Sequence, residues 1–469
     1  MTSTGRDGTP ADEQEAGPRR SSGLASAMRP VNSVVERYIP SALVFAIVLT
    51  FVVALLALLL TDSGPRDVVV AWGDGLSGLL AFITQMALIL LLGHTLANTT
   101  PVRRLLVRLG GVPRTTTAAY VYVFVVAALA SMITWGLGLV VGALLAKEVA
   151  EQGRRKGLRL HFPLLVAAGY SGYVIWHMGY SGSGPLTAAT EGSFLAEQLG
   201  RTIPVSETTF TWWNLTAAAV TVVVVGLALA WAAPRGADPV VPLPEDADYG
   251  AQPDVDDEVQ TPADRVDASR IPTLLTGLLL VAYLVLHYWD GGTATLDIVN
   301  WTFLALILLL VRNPFELIAL VKNAAANVGE ILLQFPLYAG ILGIMTATGL
   351  IEVLSDAFVD VASPTTFGLL TFLAAGLVNF FVPSGGGQFA VQGPIVLDAA
   401  ERLGVDPSVA IMAVAYGDQW TNMVQPFWAL PVLAIAGLKM RDILGYTTVT
   451  LVASGLVFGS TMLLLGLTA

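Results

Sequence analysis

The chain has 469 residues, 55% of them hydrophobic and only 13% charged, with a mean hydropathy of +0.70. A soluble domain carries about 25% charged residues, so a wholly water-solvated globule is excluded. The absence of cysteine excludes disulfides, thiol catalysis and thiolate metal sites. The net charge of −11 is concentrated, because residues 233–270 alone hold ten acidic and three basic side chains.

In chain order, residues 1–37 are polar and carry Arg6, Arg19, Arg20, Arg29 and Arg37. No short apolar region with a small-residue cleavage site precedes the first apolar run, so a cleaved signal peptide is not expected. A disordered cytoplasmic tail is. A membrane span needs about 20 mostly apolar residues, and the runs 41–60 and 76–97 supply two. The stretch 118–147 is interrupted at Trp135-Gly136-Leu137-Gly138, and 162–190 carries internal glycine, proline and polar residues. Span 209–232 follows, then the Pro- and Asp-rich segment 233–270, read as a flexible cytoplasmic linker. Runs 271–288, 297–312 and 328–350 come next. The stretch 366–398 is interrupted at Pro383-Ser384-Gly385-Gly386-Gly387, 409–436 is broken by polar residues, and 443–467 closes the series.

Basic residues orient these segments. Loop 98–117 has Arg103, Arg104, Arg108 and Arg114, and loop 147–160 has Lys147, Arg154, Arg155, Lys156 and Arg159. With both in the cytoplasm, 118–147 must enter and leave on one side, as a re-entrant hairpin. The loop after 350 is acidic (Glu352, Asp356, Asp360) and read as external, whereas Lys439 and Arg441 mark an internal loop, so 366–398 enters from outside. The fold expected is an all-α polytopic membrane protein with about nine spans plus two opposed hairpins. Its parts are the tail 1–37, a first transmembrane repeat 38–232, the acidic linker 233–270, and a connecting span with the second repeat, 271–469. A weak internal repeat agrees with this. Gln85-Met86-Ala87-Leu88 matches Gln334-Phe335-Pro336-Leu337, and Trp135 matches Ser384, both at an offset of 249. Tyr170-Ser171-Gly172 matches Tyr416-Gly417-Asp418 at 246, which sets Gly172 opposite Asp418. Inverted repeats with broken helices are a recurrent transporter design.

Non-helical backbone at membrane depth is tolerated only where protein or a water-filled cavity satisfies it. Gly385, Gly386 and Gly387 permit a tight turn with bare amides, and a helix start beyond the turn favours an anion such as a carboxylate. Ser384, Gln388 and Asn379 add hydrogen-bonding groups. A buried structural turn without a ligand is the alternative. Asp418 lies in an apolar stretch, where an ionisable group defaults to a functional role. It suits a proton, or Na⁺ with Thr421 and Asn422 completing an oxygen shell; a helix-capping or paired aspartate is the alternative. In the first half, His177 could titrate near neutral pH or serve as a hydrogen-bonded core residue. His94 reads as structural or interfacial, and Gly138 and Gly142 as helix-packing positions. The four histidines, 94, 161, 177 and 287, show no metal-ligand spacing.

At these residues the sequence resembles the short-chain fatty acid transporter family, placed within the ion-transporter superfamily. The matching text is Phe381-Val382-Pro383-Ser384-Gly385-Gly386-Gly387-Gln388, Val391-Gln392-Gly393-Pro394, and the run Tyr416-Gly417-Asp418-Gln419-Trp420-Thr421-Asn422 through Gln425-Pro426-Phe427-Trp428-Ala429-Leu430-Pro431. Trp72-Gly73-Asp74-Gly75, Gln85-Met86-Ala87-Leu88, Trp135-Gly136-Leu137-Gly138 and Tyr170-Ser171-Gly172 match too. The likeness covers about residues 30–467 except the central linker. It implies paired re-entrant hairpins, two unwound helices, a mobile transport part, a scaffold that often dimerises, and cation-linked uptake of short monocarboxylates.

The function expected is a secondary active transporter for butyrate- or acetoacetate-type acids, coupled to H⁺ or Na⁺, in the bacterial cell membrane with a cytoplasmic N-terminus. Another small organic anion, such as a dicarboxylate, or an anion channel is the alternative. No HExxH, nucleophile elbow or acid pair suggests an enzyme, and no cofactor is called for beyond a coupling ion. Expected partners are the monocarboxylate, the bilayer and a second copy as a homodimer, not nucleic acid. The substrate-binding set is Trp135, Gly136, Tyr170, Ser171, Asn379, Ser384, Gly385, Gly386, Gly387, Gln388, Trp420, Thr421 and Asn422. Asp418 and His177 form the cation-coupling set, with the alkyl tail resting on Phe389, Trp420, Phe427 or Trp135.

Overall fold

The computed structural model describes residues 42–234, 240–244, 259–326, 328–380 and 382–468. The tail 1–37, most of the linker and Phe381 therefore lie outside the described residues. The described residues are almost wholly helical. In order they form α1 Ala42–Leu60, α2 Pro65–Gly75, α3 Leu80–Asn98, α4 Thr100–Gly110, α5 Thr116–Ile133, α6 Trp135–Arg155, α7 Phe162–Ser171, a 3₁₀ turn Gly172–Met178, α8 Ser183–Ala189, α9 Phe194–Leu199 and α10 Trp212–Ala232. After the linker come α11 Pro262–Asp267, α12 Ile271–Trp289, α13 Leu296–Leu310, α14 Pro314–Ala325, α15 Gly329–Ala347, α16 Leu350–Val359, α17 Pro364–Asn379, α18 Gly385–Leu403 and α19 Pro407–Thr421. A short 3₁₀ turn Asn422–Val424, α20 Pro426–Ala436 and α21 Met440–Thr468 complete the chain.

Five of these helices are long and apolar enough to cross a membrane, namely α3, α5, α10, α12 and α21. The bent pair Ile331–Ala347 and Leu350–Val359, set at 81°, would make a sixth. The other apolar runs are shorter or broken. At 1.5 Å per residue, the 15 residues of α13 reach only about 22 Å, against a hydrocarbon core of about 30 Å. Two segments read as loops are helices. Thr100–Gly110 places Leu106 inward and Arg104 and Arg108 outward, with Arg103 half-buried, and Leu350–Val359 buries Leu350 and Ser355 while exposing Glu352 and Asp356. Each is too short to register in a span-length hydropathy average.

The packing divides into two groups. In one, α2 crosses α15 with backbones nearly touching. A β-carbon on Gly75 would lie 2.9 Å from the Ala339 carbonyl, and one on Gly343 would lie 2.5 Å from that of Ala71. This is the small-residue crossing that lets apolar helices pack closely. α1 lies against α15, and α3 against α13, α14 and α15. In the other group, α5 and α6 form an antiparallel pair that packs on α7, while α17 and α18 pack on α19; α21 joins α7, α10, α17 and α19. The Gly142–Gly169 crossing holds α6 to α7, since a β-carbon at either would sit about 2.5 Å from the other's carbonyl oxygen, at 2.6 and 2.4 Å.

Candidate functional site

The interruption in 118–147 falls at Thr134, one residue before the expected Trp135-Gly136 start. Thr134 ends α5 and precedes α6 with an extended backbone, φ −153° and ψ 137°. The second interruption runs from α17 to Gly385, so the glycine run forms the first turn of α18 rather than the turn itself. Ser384 caps that turn through its hydroxyl, which accepts from Gly387 N–H at 3.5 Å. At both starts the first amides lack carbonyl partners by helix geometry. Trp135 N–H is taken by Ser181 Oγ at 3.2 Å.

The three glycines face three directions. A β-carbon on Gly385 would meet the Trp176 ring at 2.7 Å and His177 Cε1 at 2.9 Å. One on Gly386 would meet Phe82 at 2.9 Å and Phe335 at 3.1 Å, and one on Gly387 would meet Tyr338 at 2.7 Å. Gly386 and Gly387 thus admit aromatic rings of α3 and α15. Gly136 lies more loosely along α3, with its nearest neighbour, the His94 amide, at 3.5 Å from a built β-carbon. Both starts therefore abut α3, one at Phe82 and the other at His94.

The first break has a periodic cause. Tyr170, Tyr173 and Trp176 recur every three residues, and a 3₁₀ helix brings residues i and i+3 into register. Their rings form a column: Tyr170 and Tyr173 are 6.2 Å apart at 18°, Tyr173 and Trp176 are 5.6 Å apart at 10°, and His177 stacks on Trp176 at 4.0 Å and 16°. Such pairs contribute about 0.5–1.5 kcal/mol each beyond burial. Across the molecule, Trp135 lies 6.3 Å from Trp176 and 5.0 Å from Trp428 of α20. Phe389 of α18 meets His177 edge-on at 5.5 Å and also fills the space beside Gly184.

His177 is where the halves meet. Its Nδ1 lies 3.0 Å from Asp418 Oδ2, with the two side chains 0% and 1% exposed. Its Nε2 accepts the Gly184 N–H at 3.1 Å, and its own backbone N–H donates to Gln419 Oε1 at 2.9 Å. An amide can only donate, so Nε2 holds a lone pair and the ring proton sits on Nδ1, directed at Asp418. Asp418 Oδ2 accepts from Nδ1–H in this arrangement. The other oxygen, Asp418 Oδ1, is buried with no hydrogen-bond partner among the described residues.

Other expected site residues divide. Tyr170 reaches the second break, its hydroxyl donating to the Asn422 carbonyl at 2.7 Å. Asn379 donates to Thr421 Oγ1 at 2.9 Å and Asn422 Oδ1 at 2.8 Å, while Thr421 donates to Gly376 O. These oxygens are hydrogen-bonded to α17 residues rather than to Asp418. Gln388 donates to Ala375 O and to Gln392, bracing α18. Ser171 turns to Thr450 of α21 at 2.7 Å. Trp420 also turns away: its indole donates to Leu451 O at 2.7 Å and its ring packs on Phe372 and against Gly455. Sequence reasoning passed over Trp176, Gly184, Gln419 and Asn214. Asn214 ties the Met178 carbonyl to the Tyr416 hydroxyl. The three-residue aromatic spacing was the signal available for Trp176.

A helical chain with paired helix starts, two breaks and a fully buried ionisable pair has the make-up of a multi-pass membrane transporter. Two solved transporters share the fold. The Alcanivorax borkumensis YdaH transporter, described as having an unusual topology, superposes with a TM-score of 0.53 at 15% identity, over 89% of this chain and 97% of that one. Neisseria gonorrhoeae MtrF, described among antimetabolite efflux pumps, gives 0.55 at 14%, over 92% and 97%. Residues 24–465 match the short chain fatty acid transporter family model. A relative from Escherichia coli (strain K12) is 42% identical over 90% of this chain and 96% of its own length. One from Haemophilus influenzae (strain ATCC 51907 / DSM 11121 / KW20 / Rd) is 37% identical over 93% and 98%. Both are provisionally named short-chain fatty acid transporters. The chain belongs to the short-chain fatty acid transporter family.

Proposed function

We propose that this protein is a proton-coupled symporter of short monocarboxylates such as butyrate or acetoacetate. The observation that carries the reading is the buried His177–Asp418 pair beside the start of α18. The amides of Gly385 and Gly386 offer donors for a carboxylate, and Trp135, Trp176, Trp428 and Phe389 offer apolar surface for a short tail. An ionised Asp418 this close would repel the substrate anion. Protonation at Oδ1 removes that repulsion, so proton and anion favour each other's binding, and by linkage the preference is mutual. The donor set suits H⁺ better than Na⁺, because Asp418 faces an imidazole and the nearby Thr421 and Asn422 oxygens are engaged elsewhere.

In this reading the two hairpins and two broken helices are repeats of opposed topology. The group containing them moves against α1–α4 and α12–α16, in the manner of alternating access. The basic segments favour a cytoplasmic N-terminus, in keeping with a chain of the bacterial plasma membrane. Uptake of labelled butyrate into proteoliposomes, with pH and Na⁺ gradients imposed separately, tests it. Accumulation should follow the inward proton gradient. In Asp418→Asn, butyrate exchange should persist while the gradient response disappears. Failure to carry butyrate under any gradient while another solute is carried well would overturn the substrate, and Na⁺-driven uptake that survives in Asp418→Asn would overturn the coupling site.

A further inference from the structure

Far from the His177–Asp418 pair, a cavity of about 330 Å³ opens where α4, the end of α6 and the α13–α14 turn converge. Its walls carry Arg103, Arg104, Lys147 and Arg312 with the acid Glu148, and Glu316 lies behind them, 3.4 Å from Arg312 Nε. Lys147 is only 4% exposed and is fixed in the inner wall, while Arg104 and Arg312 are exposed at the cavity's outer side. The walls are also pre-ordered. Glu316, 3% exposed, takes a hydrogen bond from Thr100 Oγ1 at 2.5 Å and another from the Arg312 amide at 2.6 Å, fastening the start of α4 and the turn bearing Arg312 to α14.

The outside of the cavity distinguishes among anions. Leu105 and Val107 of α4 are 51% and 49% exposed, and Val107 is itself on the cavity wall. Arg104 and Arg108 share that outward face. Apolar and cationic residues exposed side by side suit an interfacial helix, with alkyl chains over the apolar positions and a charged headgroup beside the cations. A free inorganic anion would use the cations and leave Leu105 and Val107 without a role. Basic recesses between membrane helices hold anionic headgroups in the same way.

We propose that this cavity binds the phosphate headgroup of an anionic phospholipid, with its acyl chains lying over Leu105 and Val107. Because α4 leads from α3 into α5, and α6 is the partner of α5, the lipid ties the base of the α5–α6 pair to the α13–α14 turn. The inference does not depend on the transported solute.

The test uses the purified full-length protein in a neutral maltoside detergent, with the unfolding midpoint read by tryptophan fluorescence. Phosphatidylglycerol should raise the midpoint by about 4 °C at saturation, and phosphatidylcholine should not. Arg104→Glu, at an exposed position, should leave the lipid-free midpoint unchanged and abolish the shift. Lys439→Glu, an equal charge change at an exposed site elsewhere, should retain it. An equal shift with phosphatidylcholine, or its loss in Lys439→Glu as in Arg104→Glu, would overturn the site. A shift given by inorganic phosphate alone and abolished by Arg104→Glu would overturn the lipid in favour of a free anion, and no shift with either would overturn both.

Discussion

The break after the first helix pair spans seven residues, Gly172–Met178, and the break after the second spans three, Asn422–Val424. The long one carries its ionisable residue, His177, inside the 3₁₀ segment. The short one leaves Asp418 on the last turns of an intact helix. In each, a glycine admits the neighbouring hairpin arm: a β-carbon on Gly172 would strike the Ala127–Ala128 backbone at 2.5–2.6 Å, and one on Gly417 would strike the Phe372 carbonyl at 2.4 Å. If those glycines correspond, the offset is 245, and Tyr173 rather than Gly172 stands opposite Asp418. Similar parts therefore perform different tasks. One half supplies the histidine, the other supplies the aspartate, and neither half alone holds the pair.

The strongest way to break this comparison is to separate the pair. Leaving one partner of a buried polar contact unsatisfied costs about 1–3 kcal/mol, so Asp418→Ala and His177→Ala should each lower the unfolding midpoint. Because they act on one contact, a double-mutant cycle should return a coupling of about 1–3 kcal/mol. Additive losses would mean that the two residues serve their own halves separately.

Gly184→Ala attacks the pair from behind. The added methyl carbon would sit 2.1 Å from the Phe389 ring, and overpacking of this kind costs about 1–3 kcal/mol. It would also pull the Gly184 N–H off His177 Nε2 and free the tautomer. Phe389→Leu should restore both stability and proton-driven uptake. If stability returns and coupling does not, the Gly184 amide matters in its own right.

The two helix starts can be compared at lower cost. Alanine in place of glycine within a helix gains up to about 1 kcal/mol. At Gly136, with nothing nearer than 3.5 Å, that gain should survive, and Gly136→Ala should be neutral or stabilising. At Gly387, where Tyr338 stands at 2.7 Å, displacement of the ring should outweigh it by about 1 kcal/mol. Equal effects at the two positions, read as unfolding midpoints, would remove the distinction between a loosely seated first start and a locked second one.

How much of this was legible depends on the range of the signal. Apolar runs of span length gave α3, α10, α12 and α21 to within a few residues, because hydropathy is local. Helices α4 and α16 were hidden in charged segments, where an amphipathic pattern of 10 or 11 residues is averaged away. Asp418 stood out as an acid among apolar residues. Its partner lies 241 residues away, and nothing in local spacing selects His177 over a satisfied core histidine. Trp420 misled for the opposite reason. It sits in the most distinctive run of letters, yet helix geometry points it at α21 while its neighbours Asp418 and Gln419 point at His177.

The smallest effect concerns the linker, read as wholly flexible. Among its described residues, Val241 docks on the start of α7: its carbonyl accepts from Phe162 N–H at 2.7 Å, and its own N–H donates to His161 Nδ1 at 3.0 Å. Leu243 beside it is buried. Burial pulls His161 down to about 4 from its ordinary 6.5, and a proton on Nδ1 would oppose the Val241 N–H. A histidine depressed in this way stabilises the docked state fully above about pH 6.5, and that contribution is lost as the pH falls toward 4. Acidification should therefore loosen the 240–244 strap by the value of one hydrogen bond, roughly 1 kcal/mol. Hydrogen exchange at the Val241 amide, corrected for intrinsic rate, should show protection falling between pH 7 and pH 4.5. In His161→Phe, which cannot accept that bond, protection should be low and flat over the same range. A parent-like pH profile in that variant would show that some group other than His161 governs the strap.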